Sequence, residues 1–424
     1  MFKVSHNCPI QMRLKAEIMN IYHLDYIETP RLRIRPVQIG DEKELNQAIN
    51  RSLPMLQRWM PWAKDPSLQT TREFIQDGVL DWQSGEADEF PMVVIHKEDN
   101  KIISASGFND LNDVSKPYFE MGYWIDSGYQ GQGLITELVI GLTRYTLEAL
   151  QATRVQIRMQ AENTKSVAVA QRCGFTLEAK LKNYCLDCES GLPADSLLFA
   201  CCDSARLPAL EVKWFQSEKQ YKVRVENKDI TDKSFKLSLP ILQTKRLKLM
   251  PPDSRDAQAF QSAVLASVNE LGPWFLWAKA NMTLEQAQQH INNRIVSAHD
   301  IYAHDHLFLC VWAHGQNDLL GEVSCKILDW GVSLVQIHFW FDTRYTGQGY
   351  AIEAVAEVVR FAFIKLNAKR VEVNIPTQND KSLGLIKRLG FNHEGTLQNH
   401  AKNFMTNEVM SSELFSLTEL ADYF

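Results

Sequence analysis

Short apolar runs alternate with longer amphipathic stretches along the whole chain. Between residues 31 and 36 basic and apolar side chains alternate (Arg31, Leu32, Arg33, Ile34, Arg35), the period of a half-buried strand. Residues 41–49 and 70–85 carry apolar positions at helical spacing. Residues 90–96 and 102–109 read as two strands around a charged turn, Glu98-Asp99-Asn100. A strand over 118–125 leads into Gly131–Gly133, which opens a helix ending near Leu150. A strand over 155–159, a short helix over 165–173 and a strand over 196–200 follow. Strands alternating with helices in this way predict a layered α/β (α+β) domain.

The pattern then recurs. Thr29-Pro30-Arg31-Leu32-Arg33-Ile34 returns 215 residues later as Thr244-Lys245-Arg246-Leu247-Lys248-Leu249. Trp59-Met60-Pro61-Trp62-Ala63-Lys64 returns at the same offset as Trp274-Phe275-Leu276-Trp277-Ala278-Lys279. Tyr129-Gln130-Gly131-Gln132-Gly133 and Arg172-Cys173-Gly174-Phe175 return at an offset of 216, as Tyr345-Thr346-Gly347-Gln348-Gly349 and Arg388-Leu389-Gly390-Phe391. So long a period means duplicated domains rather than a solenoid. The expected division is an N-terminal extension over 1–25, domain 1 over 26–203, an ordered connector over 204–236 and domain 2 over 237–424. Residues 1–17 match nothing in the repeat and are expected to pack poorly. In the connector, 221–225 and 235–237 alternate as strands do, around a turn at Asn227-Lys228-Asp229.

Composition narrows the class. The 424 residues are 45% hydrophobic and 23% charged, which excludes disorder. A net charge of −6 without a basic block argues against nucleic-acid binding by charge. No apolar run approaches the ~18 residues of a membrane span, and residues 1–29 lack a signal-peptide core. A cytoplasmic enzyme or binding protein is the expectation. Among eight cysteines only Cys185, Cys188, Cys201 and Cys202 cluster. Adjacent Cys201 and Cys202 would point to opposite faces of a strand, so reduced thiols are expected and no metal.

The unit that invites chemistry is strand 118–126, loop 129–133 and the helix after it. Glycines let backbone approach a ligand, and unpaired amides at a helix N-terminus favour phosphate oxygens. A tight strand-to-helix turn would use the same residues. The loop fits neither the dinucleotide G-x-G-x-x-G nor a Walker loop, since no Lys-Ser/Thr follows Gly133.

Thr29 to Pro36, Glu120-Met121-Gly122-Tyr123-Trp124-Ile125, Gln130 to Gly133, and Asn163-Thr164-Lys165-Ser166 leading to Gly174-Phe175 together resemble the GCN5-related N-acetyltransferase (GNAT) superfamily, in its RimJ/RimL-like branch of ribosomal-protein N-terminal acetyltransferases. Of the acyl-CoA loop Gln/Arg-x-x-Gly-x-Gly/Ala, domain 1 matches Gln130 and Gly133 but has Ile135; domain 2 has Thr346 but matches Gly349 and Ala351. The resemblance implies two tandem domains, each a mostly antiparallel sheet splayed at the cofactor site and flanked by helices. It implies acetyl-CoA as co-substrate, its pyrophosphate on the amides of Gln130, Gly131, Gln132, Gly133 and Leu134. Its pantetheine would lie between Tyr123, Trp124 and Ile125 on one strand and residues 155–159 on the next, touching Asn163. The counterparts in domain 2 are Phe339, Trp340, Phe341, Thr346, Gly347, Gln348, Gly349, Tyr350, Asn379 and Ser382.

Acetyl transfer to an amine needs a proton acceptor, an oxyanion donor and a proton for the leaving thiolate. The resemblance offers Glu120 as base, against a solvated edge-strand glutamate, and Ser166 near the sulfur, against a first-turn helix residue behind its cap Asn163. A carboxylate on the hairpin beyond Gly-Phe, here Asp187, is the weaker alternative for the base. Trp59 and Trp62 are either core anchors or walls of the acceptor pocket. Domain 2 has Gln336 where domain 1 has Glu120, so it is expected to bind CoA with catalysis weakened or lost, unless water or Glu394 substitutes. The expected activity is transfer to a primary amine, with a protein N-terminus such as that of a ribosomal protein as one acceptor. The alternatives are an antibiotic or polyamine acetyltransferase and a non-catalytic acyl-CoA-binding scaffold.

Overall fold

The computed structural model describes residues 20–84, 87, 89–109, 118–217, 241–298, 305–316 and 318–420. The expectations for residues 1–17 and for strands at 221–225 and 235–237 lie outside these. Domain 1 runs β1 (Leu24–Glu28), β2 (Leu32–Pro36), α1 (Glu42–Trp59), α2 (Leu68–Ser84), β3 (Phe90–His96), β4 (Lys101–Phe108), β5 (Tyr118–Tyr123), α3 (Leu134–Glu148), β6 (Arg154–Gln160), α4 (Thr164–Arg172), β7 (Thr176–Leu186), β8 (Pro193–Cys201) and β9 (Lys213–Gln216). Domain 2 repeats the plan with β10 (Leu242–Gln243), β11 (Leu247–Met250), α5 (Ala257–Ala266), α6 (Val268–Leu271), α7 (Leu284–Ala298), β12 (His306–Ala313), β13 (Leu319–Asp329), β14 (Leu334–Phe341), α8 (Tyr350–Lys365), β15 (Arg370–Pro376), α9 (Asp380–Arg388), β16 (Asn392–Lys402) and β17 (Val409–Leu417).

Each sheet is mixed and open. Neighbours pair antiparallel except β5 with β6 and β14 with β15, which are parallel. Ile21 and Leu24 are buried, and β9 pairs with β1, so the chain just before residue 26 and the first part of the connector complete the edge of domain 1. α3 is buried along most of its length, against β1, β2 and β6. α1 continues through Pro54 to Trp59, well past residue 49, where the sequence pattern ends.

The two sheets meet edge to edge at β7 and β16, where Ala179 faces Gly395. A Cβ on Gly395 would come within 2.1 Å of the Glu178 carbonyl, so only glycine permits this crossing. Around it the contacts occur in pairs related by a pseudo-twofold, as in an isologous dimer. Buried Arg154 lies 2.7 Å from Glu178 and donates to the Gln398 carbonyl at 2.8 Å. Buried Arg370 lies 2.5 Å from Glu394 and donates to the Lys182 carbonyl at 2.9 Å. The amides of Gln398 and Lys182 return bonds to Glu178 and Glu394, both at 3.1 Å. Leu181, Leu198, Leu397 and Leu414 form the apolar part of the joint.

Candidate active site

In domain 1 the pairing of β5 with β6 covers Tyr118 with Arg154, Phe119 with Val155 and Glu120 with Gln156, and stops there. In domain 2 β14 and β15 stop at Gln336 with Glu372. Beyond those apices parallel strands part, and backbone groups along the gap become available to a ligand. The splay expected between the Tyr123 strand and residues 155–159 is therefore present in both copies.

Past the gap the chain turns into the glycine loop. Asp126, fully buried, accepts from the Gly128 amide at 3.0 Å and from Arg51. Gly131 and Gly133 sit at φ +75° and +78°, and Gly347 and Gly349 at +77° and +79°, a left-handed conformation that disfavours other residues. Gly133 and Gly349 cap α3 and α8, whose first amides have no intrahelical acceptor. Gln130, Gly131, Gln132, Gly133 and Leu134 thus ring a helix N-terminus, as do Thr346, Gly347, Gln348, Gly349 and Tyr350.

What holds the loop in place was not foreseen. Glu137, in the first turn of α3, accepts from the Thr29 hydroxyl at 2.6 Å and from the Arg31 amide and Nε, both at 2.7 Å. Arg31 then donates to the Gln132 carbonyl at 2.9 Å. Glu353, Thr244, Arg246 and Gln348 repeat the arrangement. Burial raises the proton affinity of both carboxyls, but these bonds outweigh it and hold them below the ordinary value. Thr-x-Arg followed by a glutamate 108 residues after the threonine in one repeat and 109 in the other was the available signal.

At the apex Glu120 is buried. Its Oε1 accepts from Asn109 at 3.0 Å, and its Oε2 from Gln156 at 2.6 Å and Arg158 at 2.8 Å. It is not a solvated edge residue. Domain 2 exchanges the two side chains across the apex: Gln336 donates to Glu372 at 3.2 Å, and Glu372 takes Arg370 at 3.0 Å. Glu394 is committed to Arg370 at the domain joint.

Across the gap, Asn163 caps α4 by accepting from the Ser166 amide at 3.2 Å, and Asn379 with Ser382 does the same at 3.2 Å in α9. The Tyr123 hydroxyl reaches the Ser166 carbonyl at 3.4 Å, so Tyr123 and Ser166 face each other over the split. Burial pushes the Tyr123 phenol well above its ordinary pKa, so it stays a neutral donor. Trp124 and Ile125 are buried, as is Trp340; Phe339 and Phe341 pack on the domain 2 core, and Phe339 lacks the Tyr123 hydroxyl.

Trp62 is 44% exposed with its ring 6.2 Å from Trp124, whereas Trp59 lies under the Arg58 guanidinium at 4.4 Å. Arg58 ties the end of α1 to Asp187 at 2.5 Å, Glu162 at 3.0 Å and Glu189 at 3.5 Å. Hydrogen bonds from the Ser190 amide and Arg58 hold Asp187 well below the usual carboxylate range. Asp187 and Glu189 come from the β7–β8 turn and Glu162 from the turn between β6 and α4, so the cluster is assembled only by the fold. Cys185 contacts Ser196 at 3.3 Å, Cys201 is core, and Cys202 meets the Gln398 carbonyl at 3.6 Å. Among the described residues no His, Cys, Asp and Glu group is arranged to hold a metal, and no helix is long and apolar enough to cross a membrane.

A sheet split beside a glycine-gated helix N-terminus defines an acyl-CoA-dependent transferase domain, here present twice. Residues 31–176 and 246–392 each match the Acetyltransferase (GNAT) domain, and the chain belongs to that family of acetyl-CoA-dependent acetyltransferases. It is similar to the ribosomal-protein-serine acetyltransferase of Escherichia coli (strain K12), 33% identical over 152 residues, 36% of this chain and 82% of the relative. It is also similar to the ribosomal protein uS5-alanine N-acetyltransferase of Escherichia coli (strain K12), 22% identical over 160 residues, 38% of this chain and 82% of that protein. Among solved structures, RimL, a ribosomal L7/L12 α-N-protein acetyltransferase in complex with coenzyme A, aligns with a TM-score of 0.39 and 24% identity over 43% of this chain and 99% of that one. The two sequence matches make the chain a distant relative of RimJ/RimL-type enzymes.

Proposed function

We propose that the chain moves the acetyl group of acetyl-CoA to a primary amine, with the α-amino group of a protein N-terminus as acceptor and domain 1 as a catalytic unit of the RimJ/RimL-like branch. The observation that carries this reading is the set Glu120, Tyr123 and Ser166 arrayed along one strand split. The acetyl-CoA pyrophosphate rests on the amides of residues 130–134, and the pantetheine lies in the split beside Asn163. The Glu120 carboxylate takes the proton of the ammonium, directly or through a water that relays it. Tyr123, neutral, and Ser166 supply the hydrogen bond or proton for the departing thiolate. Trp62 walls the acceptor mouth. The carboxylates of Glu162, Asp187 and Glu189 outnumber Arg58 there, which favours a cationic acceptor over an anionic one. Domain 2 binds a second acetyl-CoA on residues 346–350.

The test follows free thiol release from acetyl-CoA with peptides bearing free N-terminal Ser or Ala and with small amines. Glu120→Gln keeps size and most hydrogen bonding. It should lower domain 1 turnover ~10²-fold near neutral pH, with partial rescue at higher pH where free amine is abundant. Full activity in that variant refutes the base assignment.

A further inference from the structure

We propose that domain 2 has an amine-acceptor site of its own, built on His338 and Asn374 at the mouth of its split. The proposal rests on the reading that the splits receive acetyl-CoA. Strand pairing ends at Gln336 and Glu372, so His338 and Asn374, two residues further on each strand, are the first same-face positions past the apex, one on each side of the gap. His338 is exposed, directly opposite Ser324 on β13. Ser324 is 3.3 Å from the His306 Nε2, and the two imidazoles stand 6.3 Å apart. The Asn374 Oδ1 is buried and has no hydrogen-bond partner among the described residues.

Domain 1 is built differently at both positions. Residue 122 is glycine, with open space where a Cβ would project, and residue 158 is an arginine spent on Glu120. Domain 2 thus lacks the apex glutamate but adds an imidazole beside the same gap, and replaces a cation with a carbonyl oxygen lacking a donor. An imidazole takes up a proton near neutral pH, and an ammonium brings three donors, one of which can satisfy Asn374. Among the described residues, the charged or titratable groups on the neighbouring strands are His306 on β12 and Glu322 and Lys326 on β13, with Arg294 of α7 behind them. Arg294 is held by Glu322 at 2.8 Å. Glu372 on β15 is held by Arg370.

In this site the acceptor ammonium gives one proton to His338, and its nitrogen lone pair forms a bond to the acetyl carbonyl carbon. The carbon–sulfur bond breaks as the second amine proton passes to the CoA thiolate. Amide and free CoA leave, and His338 returns its proton to solvent.

The test uses the full chain with domain 1 blocked by Gly133→Val, which a left-handed φ of +78° does not accommodate. Acetyl-CoA is supplied with Ser- and Ala-initiated peptides, spermidine and tyramine. Gly133→Val should retain acetyl transfer, with the rate falling toward acid pH as the imidazole base is protonated. Adding His338→Gln should lower it ~10²-fold, and adding Asn374→Ala should raise the KM for the amine more than it changes kcat. Loss of all transfer in Gly133→Val while the unaltered chain is active overturns this proposal alone, as does indifference to His338→Gln. A chain that acetylates none of the amines overturns the reading of both domains. Should Gly133→Val fail to fold, His338→Gln in the unaltered chain decides: a partial loss with a changed pH profile supports the site, and an unchanged profile overturns it.

Discussion

Arg370→Met tests the joint between the domains. Arg370 is fully buried and serves Glu372, Glu394 and the Lys182 carbonyl, so removing its charge strands two buried carboxylates and a carbonyl at once. Breaking a buried ion pair by deleting one partner costs about 3–5 kcal/mol, mostly through the charge left behind. At about 2–4 °C per kcal/mol for domains of 150–250 residues, the melting temperature should fall by about 6–20 °C. Arg154→Met should cause a drop of similar size, because Arg154 occupies the pseudo-symmetric place against Glu178 and Gln398. Differential scanning calorimetry of the full chain reads both. Adding Glu394→Gln to Arg370→Met should recover part of the loss, since a neutral amide is cheaper to bury than an unpaired carboxylate. A shift of less than about 2 °C for Arg370→Met would refute the claim that these ion pairs hold the domains together.

Glu137→Gln should loosen the glycine loop of domain 1 and weaken its acetyl-CoA affinity about tenfold, the effect of one charge-assisted bond lost, as read by calorimetric titration. Because the folded Glu137 carboxyl is held below its ordinary value, its contribution to stability is present above about pH 4.3 and lost as pH falls through the folded value. Acid unfolding of Glu137→Gln should accordingly be less steep. Tyr123→Phe makes domain 1 resemble domain 2 at that position and should lower its kcat about tenfold or more with CoA affinity unchanged, in steady-state assays.

The layered α/β domain, its duplication and both glycine loops were legible because each rests on a local signal repeated at a fixed offset. β7 was not, since Thr176–Leu186 alternates weakly and buries Ala179 and Leu181 against domain 2 rather than its own core. β1 and the edge strand β9 are five and four residues long, and each is specified by the other's register. The site divides in the same way. Loop chemistry marked residues 129–133 as a strand-to-helix turn suited to an anion, and the family resemblance is what assigned Gln130 to Leu134 to the pyrophosphate. The Arg158 and Gln156 bonds to Glu120, the Glu137 anchor and the Arg58 cluster join residues 36 to 131 positions apart, and only the fold brings them together.

Acetyl-CoA stoichiometry tests the central claim, that each domain is a working acetyl-CoA cradle, most directly. Isothermal titration of the full chain should return two sites per chain, with Gly133→Val and Gly349→Val each abolishing one of them. A single site that survives Gly133→Val and is lost in Gly349→Val would contradict the claim and leave domain 2 as the only cradle.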